Sequence, residues 1–229
     1  MAKLSNIEEN IKKVRKKIGE TAKGCGREES EITLVAATKY ANADEINEAI
    51  RCGITDIGEN RVQDLLAKYE KLDKVNLHFI GTLQTNKVKY IIDKVCLIHS
   101  VNSLHLAEEI DRQAKKIDKI QDILVEVNFF DEGSKSGIRA EDVYDFIGKL
   151  EGFSNIRVCG IMMMMPLDKN IVTQLLGNCN HFVLDIEKHF CNNMDNRVCI
   201  VSFGMSGDYE QAIKCGSTMV RIGSSIFKN

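Results

Sequence analysis

The chain has 229 residues, 44% of them apolar and 28% charged, and its 31 basic and 33 acidic side chains leave a net charge of −2. That balance describes one domain with a sizeable core, and it excludes the strongly basic surface that nucleic acid or an anionic membrane would require. The apolar runs are strand-sized, too short for a transmembrane helix, and the first residues lack the apolar centre of a signal peptide, so the reading is a cytoplasmic protein.

The chain opens with Leu4, Ile7, Ile11, Val14 and Ile18 at three- and four-residue intervals. This spacing predicts an amphipathic helix with a lysine-rich outer face, ending near Gly24-Cys25-Gly26. A regular alternation follows. Short apolar runs at Ile32–Thr38, Ile54–Ile57, Leu77–Ile80, Val95–Ile98, Ile123–Val127, Val158–Met162, Val198–Ser202 and Thr218–Ile222 predict eight strands. Helical patterns separate them: Ile46, Ala49 and Ile50; Val62, Leu65, Leu66 and Tyr69; Val88, Ile91 and Ile92; Leu104, Leu106, Ala107 and Ile110; Val143, Phe146, Ile147 and Leu150; then Val172, Leu175, Leu176, Cys179, Phe182, Val183 and Ile186. Strands alternating with helices imply parallel β/α units. Eight units in this length favour closure, and the fold class is α/β, a TIM-type (β/α)8 barrel with an additional N-terminal helix covering its outside or its lower end. A Rossmann sheet fits less well, because no Gly-x-Gly-x-x-Gly follows the first strand.

The eight cysteines, among them Cys159 and Cys199 in apolar runs, form no C-x-x-C pair and read as reduced core thiols. The five histidines show no metal-ligand spacing, so no metal is expected.

Chemistry concentrates where strands end. Two clusters of small residues, Gly204–Gly207 and Gly223–Ser225, each follow a hydrophobic strand near the carboxyl end. Such loops leave backbone N–H groups free and let an anion come close. Barrels of this type often hold a phosphate after strands seven and eight. Lys39 ends the first strand. By itself it could simply reach water; beside phosphate loops on the same rim, it reads as an amine that forms a Schiff base with an aldehyde, for which it must be neutral. Arg221 interrupts an apolar strand and needs an acceptor, either a structural partner such as Glu126 or a bound ligand. Glu59 and Arg61 form either a salt bridge or part of a polar lid. Met162–Met165 reads as adaptable core and pocket wall. Lys135 sits in a surface loop, with anion binding as a second reading.

Together, Ala37–Tyr40, Gly58–Gln63, His78–Lys87, Ser134–Gly137, Gly204–Asp208 and Gly216–Gly223 resemble the pyridoxal phosphate homeostasis proteins, whose fold is similar to the N-terminal barrel domain of bacterial alanine racemase. The resemblance runs from Lys39 to Phe227 and reads residues 1–229 as a single barrel domain. It implies that Lys39 carries pyridoxal 5'-phosphate (PLP) as a Schiff base, that Ser206, Gly223 and Ser224 hold the phosphate, and that Arg221 faces the pyridine nitrogen. It further places Asn60 and Met163 in the pocket wall. Ser224 stands where the family commonly has threonine, Phe203 where it has methionine, and the family's usual glycine is absent after Phe227.

A cation facing the pyridine nitrogen disfavours its protonation and weakens the cofactor as an electron sink. Alanine racemase takes a tyrosine from a second domain, which is not expected here because the sequence ends just after the barrel. The implied function is therefore a non-catalytic PLP-binding protein of vitamin B6 homeostasis, with no catalytic residues, PLP-requiring apoenzymes as recipients and a monomeric state. The alternative is a PLP-dependent amino-acid racemase of weak activity. From the residues without the resemblance, a Schiff-base aldolase acting on sugar phosphates also fits.

Overall fold

Residues 2–129, 136–165, 179–190 and 199–228 are described by the computed structural model. The apolar runs form β1 (Thr33–Ala37), β2 (Asp56–Glu59), β3 (Asn76–Phe79), β4 (Leu97–Val101), β5 (Gln121–Asn128), the two-residue β6 (Ile138–Arg139), β7 (Ile156–Met163), β8 (Ile200–Ser202) and β9 (Met219–Ile222). Every pairing is parallel. The ring runs β1-β2-β3-β4-β5-β7-β8-β9, and the β1–β9 and β4–β5 pairings close it. This is the expected eight-stranded barrel. β6 is an appendage on β5, where Val127 pairs with Met163 on one side and Ile138 on the other.

Strand alternation sorts the side chains into two layers. Ile57, Phe79, Ile98, Ile123, Ile161, Val201 and Val220 face outward into one large core shared with the helices. Val35, Leu97, Leu124, Met162 and Met219 form a separate cluster that fills the barrel. The helices are α1 (Ala2–Gly24), α2 (Ala43–Arg51), α3 (Val62–Tyr69), α4 (Leu104–Lys115), α5 (Val143–Leu150), α6 (residues 179–190), α7 (Tyr209–Lys214) and α8 (Ser224–Phe227). Asn42 opens α2 with a reciprocal cap: its side chain accepts from Glu45 N, and the Glu45 carboxylate accepts from Asn42 N.

α1 lies along the outside of the barrel, against α2, α7 and α8, rather than under its floor. Ile7, Ile11, Val14 and Ile18 are buried there, each contributing about 1.5–3 kcal/mol by leaving water. Asn10 Nδ2 donates to Ile226 O at 3.1 Å, tying the helix to α8. Gly26, at φ +73°, makes the left-handed turn that ends α1. The Leu4 side chain, Val172, Leu175, Leu176 and Val198 lie outside the described residues.

Two segments differ from the pattern reading. The run with Val88 and Ile91 is a 3-10 turn (Thr85–Tyr90) rather than an α-helix. A spacing of three suits both, since residues i and i+3 eclipse in a 3-10 helix. Lys119 Nζ satisfies the carbonyls of Ile92 and Val95 just beyond it, at 2.7 Å each. β4 starts two residues later than expected and runs on through His99 and Ser100, both buried. Of the seven described cysteines, none in a disulfide, Cys179, Cys199 and Cys215 are buried, while Cys25 and Cys96 are exposed rather than core.

Candidate functional site

The end of β1 is held rigidly from below. Thr38 is buried, its N–H donates to Gly58 O at 2.9 Å, and its Oγ1 lies 3.0 Å from Glu59 Oε2. Lys68 Nζ bridges Glu59 Oε2 at 2.8 Å and Thr38 O at 3.0 Å. Glu59 Oε1 accepts from Asn60 N at 2.9 Å. Glu59 therefore pairs with Lys68 rather than with Arg61, because Lys68 reaches back to it from near the end of α3. The next residue, Lys39, projects from this clamp at the rim and is exposed. Its Nζ lies 5.1 Å from the Tyr40 ring centroid, and Lys228 Nζ lies 5.0 Å from the same ring.

The two small-residue loops meet beside it. Gly204 needs its positive φ of +97°, and a Cβ there would meet Ala212 Cβ at 2.6 Å. Asp208 pins the loop by accepting from Met205 N. Arg221 N donates to Gly204 O at 2.9 Å. Alternation along β9 points the Gly223 N–H to that same side, past the end of β8. Among the described residues, the N–H groups of Ser206, Gly207, Gly223 and Ser224 donate to no protein acceptor. Ser225 N donates to Ser206 Oγ at 3.3 Å, which joins the loops and leaves the Ser206 hydroxyl proton to donate elsewhere.

Arg221 is buried and held entirely by neutral acceptors. Nη1 donates to Ser202 O at 2.8 Å and Ser202 Oγ at 2.7 Å; Nη2 donates to Met163 O at 3.1 Å and lies 3.4 Å from Met164 Sδ. Its Nε–H is the one guanidinium donor left without a protein acceptor among the described residues. The ion pair with Glu126, one of the two partners that the sequence leaves open, is not made. Glu126 accepts instead from Asn102 Nδ2 at 2.8 Å and Ser136 Oγ at 2.7 Å. Burial lowers Arg221 to about 10, against the opposing charges of Asp208 and Glu126, so it remains a cation at neutral pH. Burial raises Glu126 above the usual carboxylate range, against those two hydrogen bonds and the charge of Arg221.

One cavity of about 310 Å³ collects these groups: Lys39, Tyr40, Met205, Ser206, Gly207, Arg221, Gly223, Ser224 and Lys228 line it with Ala37. Five of the seven residues singled out from the sequence thus share one pocket. Asn60 and Met163 are not among the lining residues. Met163 is fully buried and contributes its carbonyl to Arg221, while the buried Asn60 Oδ1 has no donor among the described residues. Met205 and Gly207 belong to the small-residue cluster read from the sequence and Tyr40 adjoins Lys39, whereas Lys228, four residues beyond Ser224, carries no such signal. Cavities of about 320 and 390 Å³ open elsewhere, against Tyr69 and against Tyr90; convergence of an amine, a guanidinium and free N–H donors, not size, selects the site. Lys135 lies outside the described residues. Among the described residues no three His, Cys, Asp or Glu side chains group as metal ligands, and no helix is long and apolar enough to cross a membrane.

The family model for the alanine racemase N-terminal domain matches residues 2–229. A pyridoxal phosphate homeostasis protein of Aquifex aeolicus is 36% identical over 226 residues, covering 97% of each chain. The structure of PipY from Synechococcus elongatus, solved with PLP bound, superposes with a TM-score of 0.82 at 25% identity, over 96% of this chain and 99% of that one. An alanine racemase of Clostridium difficile shares the barrel alone: the TM-score is 0.74 at 15% identity, over 98% of this chain and 57% of that one. With the barrel, the rim lysine and the paired small-residue loops in place, this chain belongs to the pyridoxal phosphate homeostasis protein family, built on the alanine racemase N-terminal fold.

Proposed function

We propose that this chain binds pyridoxal 5'-phosphate in the cavity at its barrel mouth, keeps it as a Schiff base on Lys39, and hands it to PLP-requiring apoenzymes without itself catalysing a reaction. The observation that carries this reading is the convergence, in one 310 Å³ cavity, of an amine, four unpaired backbone N–H donors and a buried guanidinium with one spare N–H. Each matches one part of the cofactor. The Lys39 amine meets the aldehyde. The N–H groups of Ser206, Gly207, Gly223 and Ser224, with the Ser206 hydroxyl, receive the phosphate oxygens. The Arg221 Nε–H donates to the pyridine nitrogen, and Ser202 and the Met163 carbonyl hold the guanidinium in place. Met163 supports the wall from behind through its carbonyl to Arg221.

Bound PLP supplies an electron sink whose strength depends on a protonated ring nitrogen. Arg221 opposes that protonation, since no direct carboxylate partner among the described residues cancels its charge. The site also opens to solvent at Lys39 and Tyr40, the latter 69% exposed. An open, weakly activating site suits holding and transfer better than chemistry that must exclude water.

Mass spectrometry of the native and borohydride-reduced protein, with peptide mapping, tests the attachment. The expected result is a single PLP adduct on the Lys39 peptide. PLP should also bind far more tightly than unphosphorylated pyridoxal; equal affinity would refute the phosphate assignment. Solvent-proton exchange at the α-carbon of added amino acids would instead support a racemase.

A further inference from the structure

Five groups join the floor of the barrel to its mouth in one unbroken hydrogen-bonded chain. Asp56 begins β2, and its side chain is 15% exposed at the N-terminal rim. Its Oδ1 lies 3.0 Å from His78 Nε2. His78 Nδ1 lies 3.0 Å from His99 Nε2, and His99 Nδ1 lies 3.3 Å from Ser202 Oγ. Ser202 Oγ accepts from Arg221 Nη1 at 2.7 Å, and Arg221 lines the cavity. Both imidazoles, Ser202 and Arg221 are buried. The cofactor-binding reading uses only Ser202 and Arg221 of this chain.

The ends of the chain fix its direction. A guanidinium only donates and a carboxylate only accepts, while a neutral imidazole donates from one nitrogen and accepts at the other. With both rings neutral, one arrangement satisfies every link. Arg221 donates to Ser202, the Ser202 hydroxyl to His99 Nδ1, His99 Nε2–H to His78 Nδ1, and His78 Nε2–H to Asp56. When His78 takes up a second proton, both its nitrogens donate. His99 must then accept at Nε2, so its own proton moves to Nδ1. Ser202 Oγ now receives from both His99 and Arg221, and its hydroxyl proton turns away from His99.

We propose that this chain is a proton-state switch, in which protonation of His78 at the barrel floor sets the tautomer of His99 and, through the Ser202 hydroxyl, the charge that Arg221 presents at the cavity. His78 is faced by Asp56 from β2, by Cys96 just ahead of β4 and by His99 from β4. His99 is faced by His78 from β3, Ser202 from β8 and Arg221 from β9. Burial opposes a charged His78, but the hydrogen bond to Asp56 and the adjoining Cys96 outweigh it, and His78 is pushed up to about 9. Burial, with the charges of His78 and Arg221, keeps His99 well below its ordinary value, so it stays neutral in both states. Below about pH 9 Ser202 accepts two donors, and Arg221 is poorly compensated. Above it the chain runs one way, and cooperative polarisation draws on the Arg221 charge. The effect on a bound cofactor rests on the reading that Arg221 faces the pyridine nitrogen; the switch itself does not.

The experiment is nitrogen-15 NMR of the histidine rings in the full chain from pH 6 to 10.5, with and without added PLP, the His99 signals being assigned by their loss in His99→Gln. The protonated nitrogen of His99 should change from Nδ1 to Nε2 with a midpoint near pH 9, before any ligand is added. Asp56→Asn should move that midpoint at least tenfold in proton concentration towards lower pH, because it removes the carboxylate that favours the charged ring. A single His99 tautomer across the range, or an unmoved midpoint in Asp56→Asn, overturns the switch. With PLP bound, the absorption band should follow the same midpoint in the wild type and lose that dependence in Ser202→Ala; a band that keeps it overturns the coupling to Arg221. A chain that never binds PLP refutes the cofactor reading while the tautomer result stands.

Discussion

Replacing Gly223 by alanine is the sharpest perturbation of the phosphate end. A Cβ built at Gly223 would lie 2.8 Å from Ala37 O and 3.3 Å from Ala37 Cβ, whereas ordinary contact begins at 3.4 Å. The obstacle is β1 backbone, two residues before Lys39, and it cannot rotate aside as a side chain would. The Gly223 loop must therefore retreat by roughly 0.6 Å (3.4 − 2.8), which is enough to spoil the alignment of one N–H with a phosphate oxygen. A hydrogen bond to a charged group is worth about 1.5–3 kcal/mol, and its loss corresponds to an affinity fall of about 10- to 150-fold. Titration of the cofactor absorbance should show that fall for PLP and almost none for unphosphorylated pyridoxal. The melting temperature, measured alongside, separates a local shift from a folding defect. Unchanged PLP affinity, or an equal loss for both ligands, would refute the placement of the phosphate at Gly223.

Further outcomes follow from the same geometry. Lys39→Ala should abolish the borohydride-fixed adduct while leaving weak, phosphate-dependent binding; competition by inorganic phosphate would verify it. Glu59→Ala removes the partner of Lys68 and of Thr38 and should cost about 3 kcal/mol, the low end for a broken buried pair because the Lys68 side chain keeps 18% of its surface exposed. Urea unfolding measures that cost, and the adduct yield on Lys39 should drop with it as the end of β1 loosens. The histidine pair predicts two pH windows for stability. His78 titrates at about 9 in the folded chain against 6.5 ordinarily, so its contribution is complete below pH 6.5 and is lost as pH rises through about 9. His99 is shifted the other way, so its contribution is complete above pH 6.5 and fades in acid. His78→Gln should flatten the alkaline limb of a stability profile and leave the acid limb in place.

What the sequence reveals and what it hides follow one physical rule: local signals are legible and cross-barrel partners are not. Lys39 and the loops at Gly204–Gly207 and Gly223–Ser225 stand out because each is a local break, polar or small residues directly after an apolar strand. The Arg221 signal is also local, one charge in an apolar run, but its partners are not. They proved to be carbonyls and a hydroxyl from β7 and β8, and backbone acceptors leave no mark in a sequence. Glu126 looked suitable only because it carries the complementary charge. Spacing along the chain connects neither His78 nor His99 to a partner. Barrel register does. His78 pairs with Leu97, so His99, two residues on, points into the same interior, while Ser202 and Arg221 occupy inward positions on β8 and β9 by the same alternation. Polar residues at inward positions of strands that meet inside a closed barrel have no water to turn to, so they must satisfy one another. Once closure is established, a hydrogen-bonded chain among His78, His99, Ser202 and Arg221 is therefore a consequence of the strand order, and only its last contact, with Asp56 at the rim, adds a group that solvent could have served as well.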